Sequence, residues 1–308
     1  MNVRLGGSAV VILALAVAAP YVLNAYGVYL VTLTGIFALV ALGLNFLVGY
    51  AGQISLCHAA FFGVGAYATA LLTEKAGVPY VLSLLVAGLF TTVVSTLVAV
   101  PALRLRSLYL AIATVGFGVV LQKIIFEWRS LTGGGGGMQL APPSVAGHPL
   151  TATDLYGLTI ALLAIGLYGA HNLSRGRTGR ALRIIKESET AAGALGISAA
   201  RYKITAFAIS AFYAAVAGGL FAYLVGYINP ESFNVGLSIS FLSMVVIGGL
   251  GAIGGSIVGA IFYVLVPEFL RWFNNDAPGL VFGALLAAVM VFMPRGLWGM
   301  GLRLARRT

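Results

Sequence analysis

The stretch GLNFLVGYAGQISLCHAAFFGVGAY, residues 43–67, has the apolar weight of a membrane helix and is interrupted near its middle. Gly49, Gly52 and Gln53 break the apolar run, and Ser55 and His58 follow them. Inside a membrane, backbone groups freed by such a break must be satisfied by protein or by water in a cavity. The break is therefore either a corner between two spans or part of a route through the membrane.

The rest of the chain has the same apolar character. Of its 308 residues, 60% are hydrophobic and 8% are charged, a balance outside the range of soluble domains. Because a spanning helix needs about 20 mostly apolar residues, we predict an all-α polytopic membrane protein with about ten helices in one transmembrane domain, residues 1–308. The predicted spans are residues 7–26, 28–48, 54–73, 79–103, 107–127, 154–173, 203–226, 234–250, 253–270 and 278–294.

Basic residues predict the orientation, since Lys and Arg accumulate in short cytoplasmic loops. The chain carries 18 Lys and Arg residues and a formal net charge of +10. With ten spans and a cytoplasmic N-terminus, only Lys75, Lys123, Arg129 and Arg271 fall on the outer side. We therefore predict that both termini are cytoplasmic. The first segment has features of a secretory signal, but its apolar part is longer than a usual signal core, and we expect a retained helix.

The chain lacks the groups that several classes of function need. No Asp or Glu lies in the middle of a predicted span, which argues against proton-driven transport. No phosphate-cradling P-loop is present, so any nucleotide hydrolysis belongs to a partner. The three histidines lie far apart and there is one cysteine, so we expect no metal, no cofactor and no enzymatic centre. Basic loops without aromatic interleaving argue against nucleic-acid binding.

The longest hydrophilic stretch predicted on the cytoplasmic side is residues 174–203. Apolar residues alternate with basic ones from Arg180 to Lys186, which predicts a short amphipathic helix. Ser188 can cap a second helix, with Glu189 in its first turn and Gly196 at its end. The loop either anchors to anionic headgroups or presents an exposed face of small residues to a groove on a partner. That face comprises Ala191, Ala192 and Ala194.

Four segments of the chain resemble one known family. They are GLNFLVGYAGQISLCHAAFFGVGAYATALL (43–72), SRGRTGRALRIIKESETAAGALGISAARYKITAFAISAFYAAVAGGLFA (174–222), VVIGGLGAIGGSIVGA (245–260) and MPRGLWG (293–299). The family comprises the permease subunits of bacterial branched-chain amino-acid ABC transporters of the Liv type. The first segment is more similar to its LivM-like branch than to its LivH-like branch. The resemblance implies the ABC importer permease fold, with ten helices, in the bacterial inner membrane.

The resemblance also implies a heteromeric assembly in the lipid membrane. The expected partners are a second, LivH-like permease, two cytoplasmic ATP-binding subunits and a periplasmic solute-binding protein. Alternating access would follow ATP binding by those subunits, with residues 180–195 transmitting the movement. This loop is similar to the EAA signature of ABC permeases. The candidate coupling residues are Arg180, Arg183, Glu187, Glu189, Ala191, Ala192 and Gly196.

The substrate is left open between two classes. A branched-chain amino acid presents an apolar side chain and a zwitterion, so its permease needs only a mostly apolar, weakly polar path if the binding protein supplies specificity. The scarcity of buried charge fits urea, short-chain amides or another small solute equally well, and permeases for these solutes also resemble this branch. A passive channel that works alone is a remoter alternative.

Polar residues of the opening stretch are candidates for the pathway or its gate. They are Asn45, Gln53, Ser55 and His58. Hydrogen bonding between helices is the alternative role for each of them. Ser55 and His58 can share one face if the third helix begins near Ile54. The charge pattern places Gly49 to Ile54 at the cytoplasmic end of the second and third spans, as a tight turn that is also a candidate inner gate.

Two glycine-rich segments have structural interpretations. Gly251, Gly255 and Gly259 form a continuous GxxxG series in the ninth span, which is typical of close helix packing. Residues 128–153 form a Gly/Pro-rich external loop, whose run Gly133–Gly137 we expect to be too flexible to pack as a strand or helix. This loop either contacts the binding protein or is only a compliant connection, and for the glycines themselves we favour the latter.

Overall fold

Helices account for most of the chain that the computed structural model describes, which is residues 20, 22–102, 107–145, 148–273, 283–288 and 296–299. The helices are α1 (Ala25–Asn45), α2 (His58–Glu74), α3 (Tyr80–Ala102), α4 (Ser107–Glu127), α5 (Arg129–Thr132), α6 (Ala152–Arg175), α7 (Arg177–Glu187), α8 (Glu189–Ala194), α9 (Ala199–Val225), α10 (Val235–Gly248) and α11 (Ile253–Phe273). Residues 283–288 and 296–299 are also helical.

Six of these helical segments are long and apolar enough to cross a membrane. They are Ala25–Tyr50, Tyr80–Pro101, Tyr109–Glu127, Ala152–Arg175, Ala199–Val225 and Ile253–Arg271. Helices α2 and α10 are shorter, with 17 and 14 residues. The predicted helical, multi-pass class is confirmed. Eight predicted spans coincide with helices, whereas the spans predicted at 7–26 and 278–294 lie mostly outside the described residues.

Helix α1 lies at the centre of the bundle, and every residue from Thr34 to Asn45 is buried. Helix α9 packs beside it and also against α2 and α3. By contrast, α3 exposes large apolar side chains such as Leu89 and Leu97, which are 62% and 68% accessible. A row of exposed aliphatic side chains on a long apolar helix is typical of a surface that faces lipid.

Glycines allow α9 and α2 to approach until their backbones touch. A Cβ atom on Gly218 would collide with the carbonyl oxygen of Phe62, and one on Gly65 would collide with the backbone of Ala215. In a membrane, helices associate through such close packing because lipid offers no hydrophobic drive toward burial. This contact fixes the position of α2 beside the middle of α9.

Helix α2 begins at His58, so the predicted start near Ile54 was wrong. Residues 51–57 contain neither helix nor strand. Nε2 of His58 lies 2.6 Å from Oγ of Ser210, a residue near the middle of α9. The predicted tight turn is therefore an irregular segment that runs from the end of α1 to the mid-depth of the bundle.

Helix α10 also begins inside the bundle. After α9 ends, the chain passes through a 3-10 turn, Pro230–Phe233, whose first carbonyl accepts a hydrogen bond from Nε2 of Gln122 on α4 at 3.0 Å. The ring of Phe233 packs against those of Phe62 and Tyr67 on α2. The chain thus turns back into the bundle before α10 starts, which explains why this helix is short.

The glycine run of the loop that was predicted to be external is folded, so its predicted flexibility was wrong. Gly134–Gly136 form a 3-10 turn. The carbonyl of Gly136 accepts a hydrogen bond from the hydroxyl of Tyr227 at 2.9 Å. Next to it, β1 (Met138–Gln139) pairs antiparallel with β4 (Tyr227–Ile228), and β2 (Ser144–Val145) pairs with β3 (His148–Pro149). Partners distant in sequence therefore order the glycines.

The glycine contact between α9 and α2 predicts a stability difference. Gly218→Ala should destabilise the protein by about 1–3 kcal/mol, because backbone atoms that cannot rotate away must move. Gly116→Ala on α4 is the matched control, since its Cβ would meet no described atom within 4 Å. Thermal unfolding in detergent measures both. Equal unfolding temperatures for the two variants would contradict the packing described for α9.

Candidate functional site

The hydrophilic loop forms the two predicted helices, α7 and α8. Leu182 and Ile185 are buried on the apolar face of α7. The hydroxyl of Ser188 accepts a hydrogen bond from the backbone N–H of Ala191 at 3.2 Å, as predicted for the cap of α8. Gly196 follows α8 with a φ of 73°, a conformation that glycine adopts without strain.

The exposed face of α8 differs from the predicted face of three alanines. Ala191 and Ala194 are exposed, but Ala192 is fully buried. The apolar residue that protrudes is Leu195, whose side chain is 68% accessible directly after the helix. Leu195 is not among the residues predicted from the sequence, although a large apolar residue beside a glycine in a hydrophilic loop is a recognisable signal of an exposed contact.

An ion pair attaches α8 to the start of α9. The ammonium group of Lys203 pairs with the carboxylate of Glu189, and Lys203 is buried. A buried ammonium group needs such a partner, because desolvation penalises an unpaired charge. Of the other predicted coupling residues, Arg180 and Glu187 are exposed.

Basic residues attach α7 to the end of α1. The guanidinium group of Arg183 donates a hydrogen bond to the carbonyl of Ser174 at 2.8 Å and lies 5.2 Å from the ring centroid of Tyr50. One turn later, Nζ of Lys186 donates a hydrogen bond to the carbonyl oxygen of Gly49 at 2.8 Å. A cavity of about 540 Å³ is lined by these groups. Its lining residues are Gly49, Tyr50, Arg183, Lys186, Glu187 and Gly251.

Asn45 joins the end of α1 to the turn between α10 and α11. Its Oδ1 accepts a hydrogen bond from the N–H of Gly251 at 2.8 Å. Its Nδ2 donates to the carbonyl of Ala252 at 2.9 Å and to Oγ of Ser256 at 3.2 Å. After Asn45 the helix widens into a π turn, Phe46–Tyr50. The side chain therefore satisfies backbone groups that a turn between two membrane helices leaves open.

The other predicted pathway residues have contacts different from those of Asn45. Ser55 and His58 are fully buried and lie 3.3 Å apart, Oγ to Nδ1, and His58 also contacts Ser210. The hydroxyl of Ser238 on α10 accepts a hydrogen bond from the first turn of α2 at 2.9 Å. Gln53 is buried, and its Oε1 has no hydrogen-bond partner among the described residues. Asn45 thus bonds to the turn between α10 and α11, whereas Ser55 and His58 bond to each other beside Ser210 on α9.

The predicted GxxxG series is divided by the start of α11. Gly255 and Gly259 lie on α11 where it meets α10, and a Cβ atom on Gly255 would lie 2.6 Å from the carbonyl oxygen of Gly248. Gly251 precedes α11 and has a φ of 76°. The packing interpretation therefore describes Gly255 and Gly259, whereas Gly251 belongs to the turn that Asn45 binds.

Comparison with known families identifies the family to which the chain belongs. The family described as "Branched-chain amino acid transport system / permease component" matches residues 9–294. The chain belongs to this family. Its helical, multi-pass membrane architecture is therefore that of a transport permease.

Two curated relatives cover nearly the whole chain. The high-affinity branched-chain amino acid transport system permease protein LivM of Escherichia coli K12 is 35% identical over 94% of this chain and 73% of its own length. The corresponding protein LivH of the same strain is 27% identical over 87% of this chain and 93% of its own. The solved structure of PsaBC from Streptococcus pneumoniae in complex with Fab covers 95% of this chain and 99% of that chain, with 14% identity and a TM-score of 0.47.

The hydrogen bonds of Asn45 predict a large effect of its removal. Asn45→Leu keeps a similar volume but leaves the N–H of Gly251 and the carbonyl of Ala252 without these partners, which should cost about 1–3 kcal/mol. Asn172→Leu, at an exposed position on α6, is the matched control. Thermal unfolding of both variants in detergent tests this. A variant at Asn45 as stable as the control would show that the turn does not depend on Asn45.

Proposed function

We propose that this chain is the membrane subunit of an ATP-driven importer that moves leucine, isoleucine and valine into the cell by alternating access. The observation that carries the proposal is the identity of 35% with LivM over 94% of the chain. The apolar interior supports it, because a solute with an aliphatic side chain and no net charge needs no buried ion to pass.

The proposed assembly contains a second permease, since relatives of the chain are named both LivM and LivH. Two ATP-binding subunits supply the energy, and a periplasmic solute-binding protein delivers the substrate. The permease itself is non-catalytic. We place it in the inner membrane of a bacterium, with ten spans when residues 7–26 and 278–294 are included.

The α7–α8 loop faces the cytoplasm in this proposal. The described part of the chain from 175 to 203 carries seven Lys and Arg residues and two acidic ones, and such an excess is typical of cytoplasmic loops. The exposed side chain of Leu195 then points away from the bundle toward the ATP-binding subunits. A single protruding apolar residue among small neighbours suits insertion into a groove on a partner.

The buried polar residues beside the irregular segment are proposed as the gate. Irregular backbone at membrane depth is tolerated where it is packed in protein or lines a water-filled cavity. Residues 51–57 are buried or half-buried here except Ile54, which is 40% accessible; Ser55 contacts His58, which in turn contacts Ser210. Rearrangement of this segment would open weakly polar groups to a passing zwitterion. Gln53, whose amide oxygen has no hydrogen-bond partner in the part of the chain that the structure describes, belongs to the same segment.

Transport by the complete assembly tests the proposed substrate and energy source. Proteoliposomes that contain this chain, its partner permease and ATP-binding subunits, with the binding protein outside and ATP inside, should accumulate labelled leucine. Unlabelled isoleucine and valine should compete, and urea and acetamide should not. Leucine equilibration without ATP would indicate a passive channel, and accumulation of urea in place of leucine would indicate the other substrate class.

The proposed contact of Leu195 with an ATP-binding subunit predicts a charge-sensitive interface. Leu195→Asp should abolish co-purification of the ATP-binding subunits, since a carboxylate cannot enter an apolar groove without a partner. Leu195→Met, which keeps the apolar volume at the same position, should retain them. Co-purification in equal amount with both variants would place the interface elsewhere on the loop.

A further inference from the structure

Lys186 makes a hydrogen bond that joins the α7–α8 loop to the end of the membrane helix α1, although it is not among the coupling residues expected from the sequence. Its Nζ donates to the carbonyl oxygen of Gly49, 137 residues away in sequence. Its aliphatic stem covers Gly52, since Cγ would lie 3.0 Å from a Cβ atom on that glycine. The side chain of Lys186 therefore lies along the turn that follows α1, from Gly52 to the carbonyl oxygen of Gly49.

The carbonyl oxygen of Gly49 lies where a cation is favourable. It belongs to the last turn of a long helical segment, where carbonyl groups lack helical partners and the helix dipole is negative. In the same turn, the N–H of Ala51 bonds to Phe46 and that of Gln53 bonds to Leu47, both of which precede Gly49. The ammonium group of Lys186 thus satisfies a helix end rather than a neighbouring acid.

Gly49 is also enclosed by Asn45 and Gly251. A Cβ atom at this position would collide with Oδ1 of Asn45 and with the backbone N–H of Gly251. The same Oδ1 accepts the hydrogen bond of Gly251. One glycine peptide therefore contacts α1, the turn between α10 and α11, and the side chain of Lys186 on α7.

Other contacts hold the rest of the loop. Glu189 on α8 pairs with Lys203 on α9, and Arg183 on α7 bonds to the end of α6 and also lies over the ring of Tyr50. Displacement of the loop by a partner would thus reach α9 through one contact and the end of α1 through another. Lys186 is exposed, so its hydrogen bond to Gly49 is not a by-product of burying apolar surface.

We propose that Lys186 is a positioning residue that couples movement of the α7–α8 loop to the end of α1 through the carbonyl of Gly49. This inference rests on the proposed function, because coupling has meaning only in an ATP-driven assembly. Without the tether, the ATP-binding subunits still move the loop, but α1 and the turn at Gly251 follow it less completely.

The test compares leucine uptake with ATP hydrolysis in proteoliposomes that contain the complete assembly. Lys186→Met keeps the aliphatic stem and removes the donor, so leucine transported per ATP hydrolysed should fall about tenfold, within the usual range of coupling between sites. ATP hydrolysis should continue. Lys186→Arg, which restores a cationic donor, should recover most of the ratio. Arg177→Met removes an exposed cation from the other end of α7 and should leave the ratio unchanged.

The outcomes separate this inference from the proposed function. A parental ratio in Lys186→Met overturns the tether while leaving the importer intact. A proportional fall of uptake and hydrolysis that Lys186→Arg does not recover also overturns it, because that result indicates a structural role only. Absence of ATP-dependent leucine uptake in the parental assembly overturns the proposed function itself.

Discussion

The peptide of Gly49 is the constraint on which the arrangement of this end of the molecule depends. Asn45 and Gly251 leave no space for a side chain at this position, and Lys186 bonds to the carbonyl oxygen of Gly49. A membrane helix that ends inside a bundle must satisfy its last carbonyl groups within the protein. Here the ammonium group of Lys186 does so for Gly49, while the amide of Asn45 bonds to the turn at Gly251. The chain then continues as the irregular segment 51–57.

The irregular segment has consequences for the rest of the bundle. Because α2 starts at His58 beside the middle of α9, the first turn of α2 needs partners, and Ser210 and Ser238 provide them. Helix α10 starts at a similar depth after the turn at Pro230. Two short helices thus meet near the centre, between long helices that cross the whole bundle. Such discontinuous helices can rearrange without breaking the long ones, which suits alternating access.

Much of this architecture could be predicted from the sequence, for identifiable reasons. Apolar runs of spanning length predicted the long helices, because membrane thickness fixes that length. Ser188, Glu189 and Gly196 predicted α8, because capping is local chemistry. The start of α2 and the order of the Gly133–Gly137 run could not be predicted, since they depend on partners such as Ser210 and Tyr227 that are distant in sequence. The hydrogen bond between Lys186 and Gly49 could not be predicted for the same reason.

A cross-link between α7 and the corner tests most directly whether the two move as one body. A Cβ atom on Gly52 would lie 3.7 Å from Cβ of Lys186, a separation that suits a disulfide. In a Cys57→Ser background, the variant with Gly52→Cys and Lys186→Cys should transport leucine when oxidised and lose coupling when reduced. Because Gly52 has a φ of 68°, the single variant Gly52→Cys measures the cost of a side chain at that position. Transport that stops on oxidation and returns on reduction would show that the loop must leave the corner, and would contradict the account.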